Sequence, residues 1–307
     1  FELLMSFGLH LELVERSESM VKLKRIAEIL GAASERVTVY MADHGRSDFL
    51  EQLAEDTRDC QWQIEKEVIG NVLRTTRLLP ENGIAEANRS RQFVAWAIEL
   101  VMENLDRLEV RGRDSAGISI QLTLDPEAAG DDLISSQPAG VIHVHPTGTD
   151  TMVERRSVSL KGTEGINVHT FVYKVANLVG RLGDNTAALR NAIRQDTFLW
   201  KAANRSDHVN ILAHTRWASN GIISLHNCHP QNGALYGEEH SPTIRDREAE
   251  FVLNGDVDNY RALVTDTVKG QGFAIEPTVT TDAKILPVYF RLGTDPTQSI
   301  QDRFAGL

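Results

Sequence analysis

Arg111-Gly112-Arg113-Asp114-Ser115-Ala116-Gly117-Ile118-Ser119-Ile120-Gln121-Leu122-Thr123-Leu124 is where the chain changes its period. After Gly117, the apolar Ile118, Ile120, Leu122 and Leu124 alternate with Ser119, Gln121 and Thr123, the pattern of a strand with one buried face. Before Arg111 the apolar residues recur at threes and fours: Val94, Ile98, Val101, Leu105 and Leu108 have the spacing of a short coiled-coil seam. Helices therefore precede this stretch and a sheet begins within it. The fold class is α+β.

Working back toward the N-terminus, Ser47 to Leu79 reads as a helix in which Ile64, Val68 and Val72 make one stripe, closed by Pro80-Glu81-Asn82-Gly83. Met20, Leu23, Ile26, Ala27 and Leu30 mark an earlier helix, with Gly31 placed to end it. Residues 1 to about 14 are apolar and too few for periodicity to separate strand from helix. Toward the C-terminus, strands are expected at Gly140 to His145, Asn210 to His214 and Phe251-Val252-Leu253, with polar or charged stretches at Asp125 to Pro138 and up to Gly165. Val172, Val175, Val179 and Leu182 have helical spacing, and Ala187 to Ile193 reads as another helix behind an Asn185 or Thr186 cap.

The 307 residues are 41% apolar and 24% charged, within the range of globular chains and long enough to bury a core. A formal net charge of -11 disfavours a general nucleic-acid binder, which needs a basic face. No run of about 18 apolar residues occurs, and no secretory signal pattern opens the chain, so neither membrane nor secretion is expected and a cytoplasmic location is. Cys60 and Cys228 form no CxxC, which suits a reducing compartment. His143 and His145 share a strand face but lack a third ligand at useful spacing, so no metal site is expected.

A second stretch, His214-Thr215-Arg216-Trp217-Ala218-Ser219, is followed by Asn227-Cys228-His229-Pro230, Asn254-Gly255 and Thr281-Asp282. Taken singly these are ordinary: Asn-Gly is most often a hairpin turn, Asp282 a helix N-cap, Arg216 a salt bridge and Trp217 a core residue. Their chemistry converges on one ligand type, however. An amino acid with a side-chain amide needs a cation for its carboxylate, an anion for its ammonium, and donors aimed at the amide oxygen. Arg216 can fork two hydrogen bonds to a carboxylate, Asp282 can pair with an ammonium, and Asn254 with the N–H of Gly255 can face a developing oxyanion.

In this order, and with the Arg111-to-Gly117 motif, these stretches resemble the glutaminase half of glutamine:fructose-6-phosphate amidotransferase, a class II glutamine amidotransferase. The resemblance implies an αββα sandwich like that of the N-terminal nucleophile hydrolases, with an inserted helical arm. It implies residues 1–16 as the first strand region, 17–110 as the arm, and 111–307 as the glutaminase domain, incomplete at its C-terminus. It further implies Asn254 and Gly255 as the oxyanion hole, Arg216, Trp217, Ser219 and Asp282 as the substrate contacts, and Arg111, Gly112 and His229 as supporting residues. No cofactor or metal is implied. The partners it implies are glutamine and sugar-phosphate isomerase domains of the same polypeptide, in a homo-oligomer, with glucosamine 6-phosphate as the implied product.

The family's nucleophile is an N-terminal cysteine, whereas this chain begins with Phe1. Cys60 lies in a helical pattern and reads as structural; Cys228, beside His229, is an internal thiol with no α-amine to act as its base. The nucleophile is therefore expected upstream of Phe1. The family pattern also departs at Asn220, Cys228, Leu253, Ala283 and Lys284, where His, Ala, His, Thr and Glu are usual. Two rival readings follow: another class II amidotransferase, such as one making phosphoribosylamine, or a non-catalytic glutamine-sensing or assembly domain.

Overall fold

The computed structural model describes residues 6–80, 87–124, 140–144, 151–159, 167–176, 181–217, 222–236, 249–293, 297 and 299–305. Two compact units emerge, one of residues 1–88 with 95–100, the other of 89–94 with 101–307.

The first unit is helical. Helix α1, Phe7–Glu15, starts at Ser6, whose side chain accepts the N–H of Leu9 at 3.2 Å. This corrects the first-strand reading of residues 1–16 over 7–15: the cap and the burial of His10 and Leu13, three apart, select a helix. Residues 1–5 lie outside the described residues. Helix α2, Ser17–His44, runs through Gly31 instead of ending there, and stops at Gly45, whose φ of 93° suits glycine. At Gly31 a Cβ would meet only the far end of the flexible Gln61 side chain.

Helix α3, Asp48–Trp62, continues through a π-helical segment, Gln63–Ile69, into α4, Gly70–Leu78. Ser34 donates to the carbonyl of Ala54 at 2.9 Å where α2 meets α3. Ala27, Ile64 and Ile69 form one apolar cluster and Leu13, Val68 and Val72 another.

Helix α5, Arg89–Leu108, has residues in both units. Its buried stripe is Val94, Ala95, Ile98, Met102 and Leu105, while Leu108 of the expected seam is 53% exposed. A period of 3.6 drifts about 20° per heptad from a 3.5 seam, and Leu108 stands at the end of the helix.

The second unit centres on a five-stranded antiparallel sheet in the order β2-β3-β4-β1-β5, with β1 Ser115–Leu124, β2 Gly140–Val144, β3 Thr151–Ser159, β4 Asn167–Ala176 and β5 Ser206–Arg216. Strand β3 occupies part of the stretch expected to be irregular. Strand β4 replaces the expected helix at Val172 and Val175. It pairs with β1 on one side and β3 on the other, and its residues 169–175 are all buried. Helix α6, Asp184–Gln195, packs on β4, and α7, Thr197–Ala203, on β1 and β5. Helix α6 begins behind Gly183, so neither Asn185 nor Thr186 is its cap.

A second ribbon pairs β6, Gln231–Asn232, with β7, Glu250–Phe251. Beyond it, short helical turns at Tyr260–Leu263 (α8) and Ile285–Val288 (α9) enclose Leu235, Val268, Ile285 and Val288. The last helix is α10, Ile300–Ala305. No helix among the described residues is long and apolar enough to cross a membrane.

Candidate functional site

Strand β5 is the floor from which the site is built. It pairs antiparallel with β1 so that Ser115 faces Arg216 and Gly117 faces His214, and the N–H of Asp114 extends the ladder to the carbonyl of Arg216 at 3.1 Å. Both glycines of the opening motif serve this junction. A Cβ at Gly112 would lie 2.8 Å from the carbonyl carbon of Thr215 and 3.0 Å from the nitrogen of Arg216; one at Gly117 would overlap the carbonyl oxygen of His229. The two distant sequence motifs are therefore in backbone contact.

The turn that carries Arg111 is held from behind. Glu109, 1% exposed, accepts the N–H groups of Gly183 and Asn185 at the start of α6, where the helix dipole favours an anion. The Asn185 side chain in turn donates to the carbonyl of Arg113 at 2.9 Å.

Opposite the end of β5, the N–H of Leu253 is directed at Nδ1 of His229 at 3.3 Å. The exposed turn Asn254-Gly255 follows, with φ of 153° at Gly255, and then Val257 donates its N–H to Asp282 Oδ2 at 2.7 Å. Asp282 Oδ1 accepts from Ala283 at 2.9 Å. The residue ahead of the short helix is Thr281, and the Asp282 carboxylate ties this segment to the Asn-Gly turn.

These segments surround a cavity of about 550 Å³ lined by Arg111, His214, Arg216, Trp217, His229, Asn254, Gly255 and Asp282, with Leu108, Asp256 and Thr281 among the rest. That volume lies in the range of small-molecule sites. Of the residues picked out from sequence, Arg111, Arg216, Trp217, His229, Asn254, Gly255 and Asp282 line it, Gly112 supports it, and Ser219 lies outside the described residues. Trp217 is 69% exposed and sits on the cavity wall, not in a core.

The electrostatics are those of an anion-accepting floor beside an acidic wall. His214 and His229 lie against each other with ring centroids 4.5 Å apart and planes tilted by 36°. Burial lowers the pKa of both, and the Arg216 guanidinium lowers each further; His229, also beside His214 and Lys174, is brought to about 3. Both rings are neutral near pH 7, leaving Arg216 and Arg111 as the cavity's cations. Burial and Asp282 raise the pKa of the Tyr260 phenol.

Neither cysteine is a nucleophile in this pocket. Cys228 is 1% exposed, its thiol donates to the carbonyl of Ala116 at 3.1 Å, and burial raises its pKa. Cys60 is exposed on α3, so it has no structural burial either. Lys284, where the resemblance leads to an expected Glu, donates from its ammonium to the carbonyl and side-chain oxygens of Asn232 at 2.8 and 2.9 Å, and Asn232 donates to Glu154 at 3.1 Å. The departure is thus absorbed by a buried polar network. Among the described residues no group of three His, Cys, Asp or Glu side chains could hold a metal ion; the side chains of His143 and His145 are outside that description.

Sequence reasoning overlooked Glu109 and quoted Asn227 in its motif without a role, because a buried Glu after a helix and an Asn before Cys-His carry no periodic signal. The available cue for Asn227 was its place beside the Cys228-His229-Pro230 turn.

Compared with known proteins, the chain is 28% identical over 207 residues to glutamine--fructose-6-phosphate aminotransferase [isomerizing] of Saccharomyces cerevisiae; the match takes in 67% of this chain and 20% of that protein. The chain thus spans about a fifth of the length of that curated relative. The similarity supports a relationship at the level of family. No family model and no solved structure matches the chain.

Proposed function

We propose that the cavity binds free glutamine and that the protein carrying this chain hydrolyses the side-chain amide to glutamate and ammonia, the ammonia serving glucosamine 6-phosphate synthesis from fructose 6-phosphate. One observation carries this reading: Arg216, Asn254-Gly255 and Asp282, from three separate stretches, line one cavity with the complementary charges an amino acid requires. The similarity to the yeast aminotransferase points the same way.

In this reading Arg216 takes the α-carboxylate in a bidentate pair and Asp282 the α-ammonium. A thiolate attacks the amide carbon, the Asn254 amide and Gly255 N–H stabilise the oxyanion, ammonia departs, and water releases glutamate. Residues 1–307 do not supply that thiolate, so the reading requires a cysteine elsewhere in the polypeptide. The same proposal includes an αββα sandwich for the second unit, the helices of 17–110 as an inserted arm, sugar-phosphate isomerase domains in the full polypeptide, and a cytoplasmic homo-oligomer.

Calorimetric titration of the chain with L-glutamine and D-glutamine tests the binding. Selective L-glutamine binding, lost in Arg216→Ala and Asp282→Asn, is expected; indifference to both variants rejects the pocket. In the full-length protein, glutamine-dependent glutamate release should fall about 10²- to 10³-fold in Asn254→Ala, the usual effect of removing an oxyanion donor. The rival reading is a non-catalytic glutamine sensor. Binding without any glutamate release by the full-length protein would select it.

A further inference from the structure

Asn227 is completely buried, and its side-chain amide uses two donors and two acceptor bonds. Oδ1 accepts the N–H groups of Thr280 at 2.7 Å and Thr281 at 3.1 Å; Nδ2 donates to the carbonyl of Ile222 at 2.8 Å and the hydroxyl of Thr280 at 2.9 Å. The Thr280 hydroxyl also accepts the N–H of Ile222 at 3.2 Å. The four bonds satisfy both N–H groups and both principal lone pairs of the amide.

We propose that Asn227 is a positioning residue that sets Asp282 for an α-ammonium, an inference that rests on the glutamine reading above. Asp282 follows directly on Thr281, whose backbone N–H is fixed by Asn227. Its carboxylate then receives the N–H groups of Val257 and Ala283. A line of hydrogen bonds thus runs from Asn227 through the 280–282 backbone to Asp282 and on to the segment after Asn254-Gly255. On its other side Asn227 holds Ile222. Carboxylate oxygens offer about four acceptor sites, so the two backbone bonds orient Asp282 and leave capacity for a ligand ammonium.

A buried amide that only stabilised the fold would weaken every ligand alike when removed. One that aims Asp282 acts selectively on ligands bearing an ammonium. The test is calorimetric titration at neutral pH with L-glutamine and with 5-amino-5-oxopentanoic acid, which is glutamine without its α-amino group. Asn227→Ala should raise the glutamine Kd about tenfold, the scale of a displaced charged hydrogen bond, and leave the analogue within about twofold. Adding Asn227→Ala to Asp282→Asn should then cost little more, because both act on one contact.

Thr280→Val, at an exposed position, removes the hydroxyl shared by Asn227 and Ile222 and should give the same selective loss in smaller measure. It serves if Asn227→Ala folds poorly. Tyr173→Phe, which removes the buried hydroxyl bonded to Asp196 at 2.9 Å, should lower stability without altering the ratio of the two affinities. Equal weakening of both ligands, or additive loss in the double variant, overturns the inference. So does an unchanged glutamine Kd in Asn227→Ala and Thr280→Val while Asp282→Asn weakens it. Indifference of glutamine to Asp282→Asn and Arg216→Ala instead rejects the glutamine reading itself.

Discussion

The carbonyl oxygen of His229 occupies the space that a Cβ on Gly117 would need. Strand β1 and the Cys228-His229-Pro230 turn are therefore packed backbone to backbone, and the pocket histidine is seated on the sheet by the absence of one side chain.

Gly117→Ala should for that reason destabilise the fold. A methyl in this position must displace main chain, so a loss of about 1–3 kcal/mol or more is expected, as for overpacked cores. Urea titration followed by circular dichroism measures it, and Gly45→Ala at an open helix end serves as a comparison that strains only φ.

Arg216→Lys should weaken glutamine binding although charge is kept. The cavity surrounds Arg216, 8% exposed, and a lysine presents a point charge where a planar fork is required. A rise in Kd of about tenfold, equivalent to about 1.4 kcal/mol, is expected by calorimetry.

Stability should fall as the solution is acidified from about pH 6.5. His229 titrates at about 3 in the folded chain and His10 at about 4, against 6.5 without the fold. Between those values the unfolded state binds more protons, so unfolding is favoured as pH drops and the effect levels off below the folded pKa. Each such histidine contributes a slope approaching about 1.4 kcal/mol per pH unit within its window. Denaturant midpoints from pH 7 to pH 4 should show a shallower slope in His229→Gln.

Thiol reagents should separate the two cysteines. Cys60 is exposed and should be alkylated in the native protein, whereas Cys228, buried with its thiol among the carbonyls of Ala116, Val175 and His229, should react only on unfolding. Peptide mass mapping after brief iodoacetamide treatment checks both.

The sequence was readable where one signal dominated. Alternation disclosed β1 as a strand, although Ser119 on its other face is buried too, and the ordered motifs brought out seven residues that line a single cavity. Strand β4 was misread because Val172 and Val175 continue at helical spacing to Val179 and Leu182. A strand buried on both faces has no alternation to contradict such a pattern. Its β-branched and aromatic run, Val168, Thr170, Phe171, Val172, Tyr173 and Val175, was the informative feature. Gly31 misled in the opposite sense, since a glycine inside a helix looks in sequence like a terminator. The bonding of Asn227 could not be read from sequence, because three of its four side-chain hydrogen bonds reach residues more than fifty positions away.

Asp282 holds the N–H groups of Val257 and Ala283 before any ligand arrives. Its rotamer freedom has thus been surrendered during folding, and on the glutamine reading an incoming ammonium need not immobilise it. On the glutamine reading the protein's share of the ordering cost is already met at this wall, so affinity there should follow ligand charge strongly, with desolvation and the ligand's own ordering as the remaining costs.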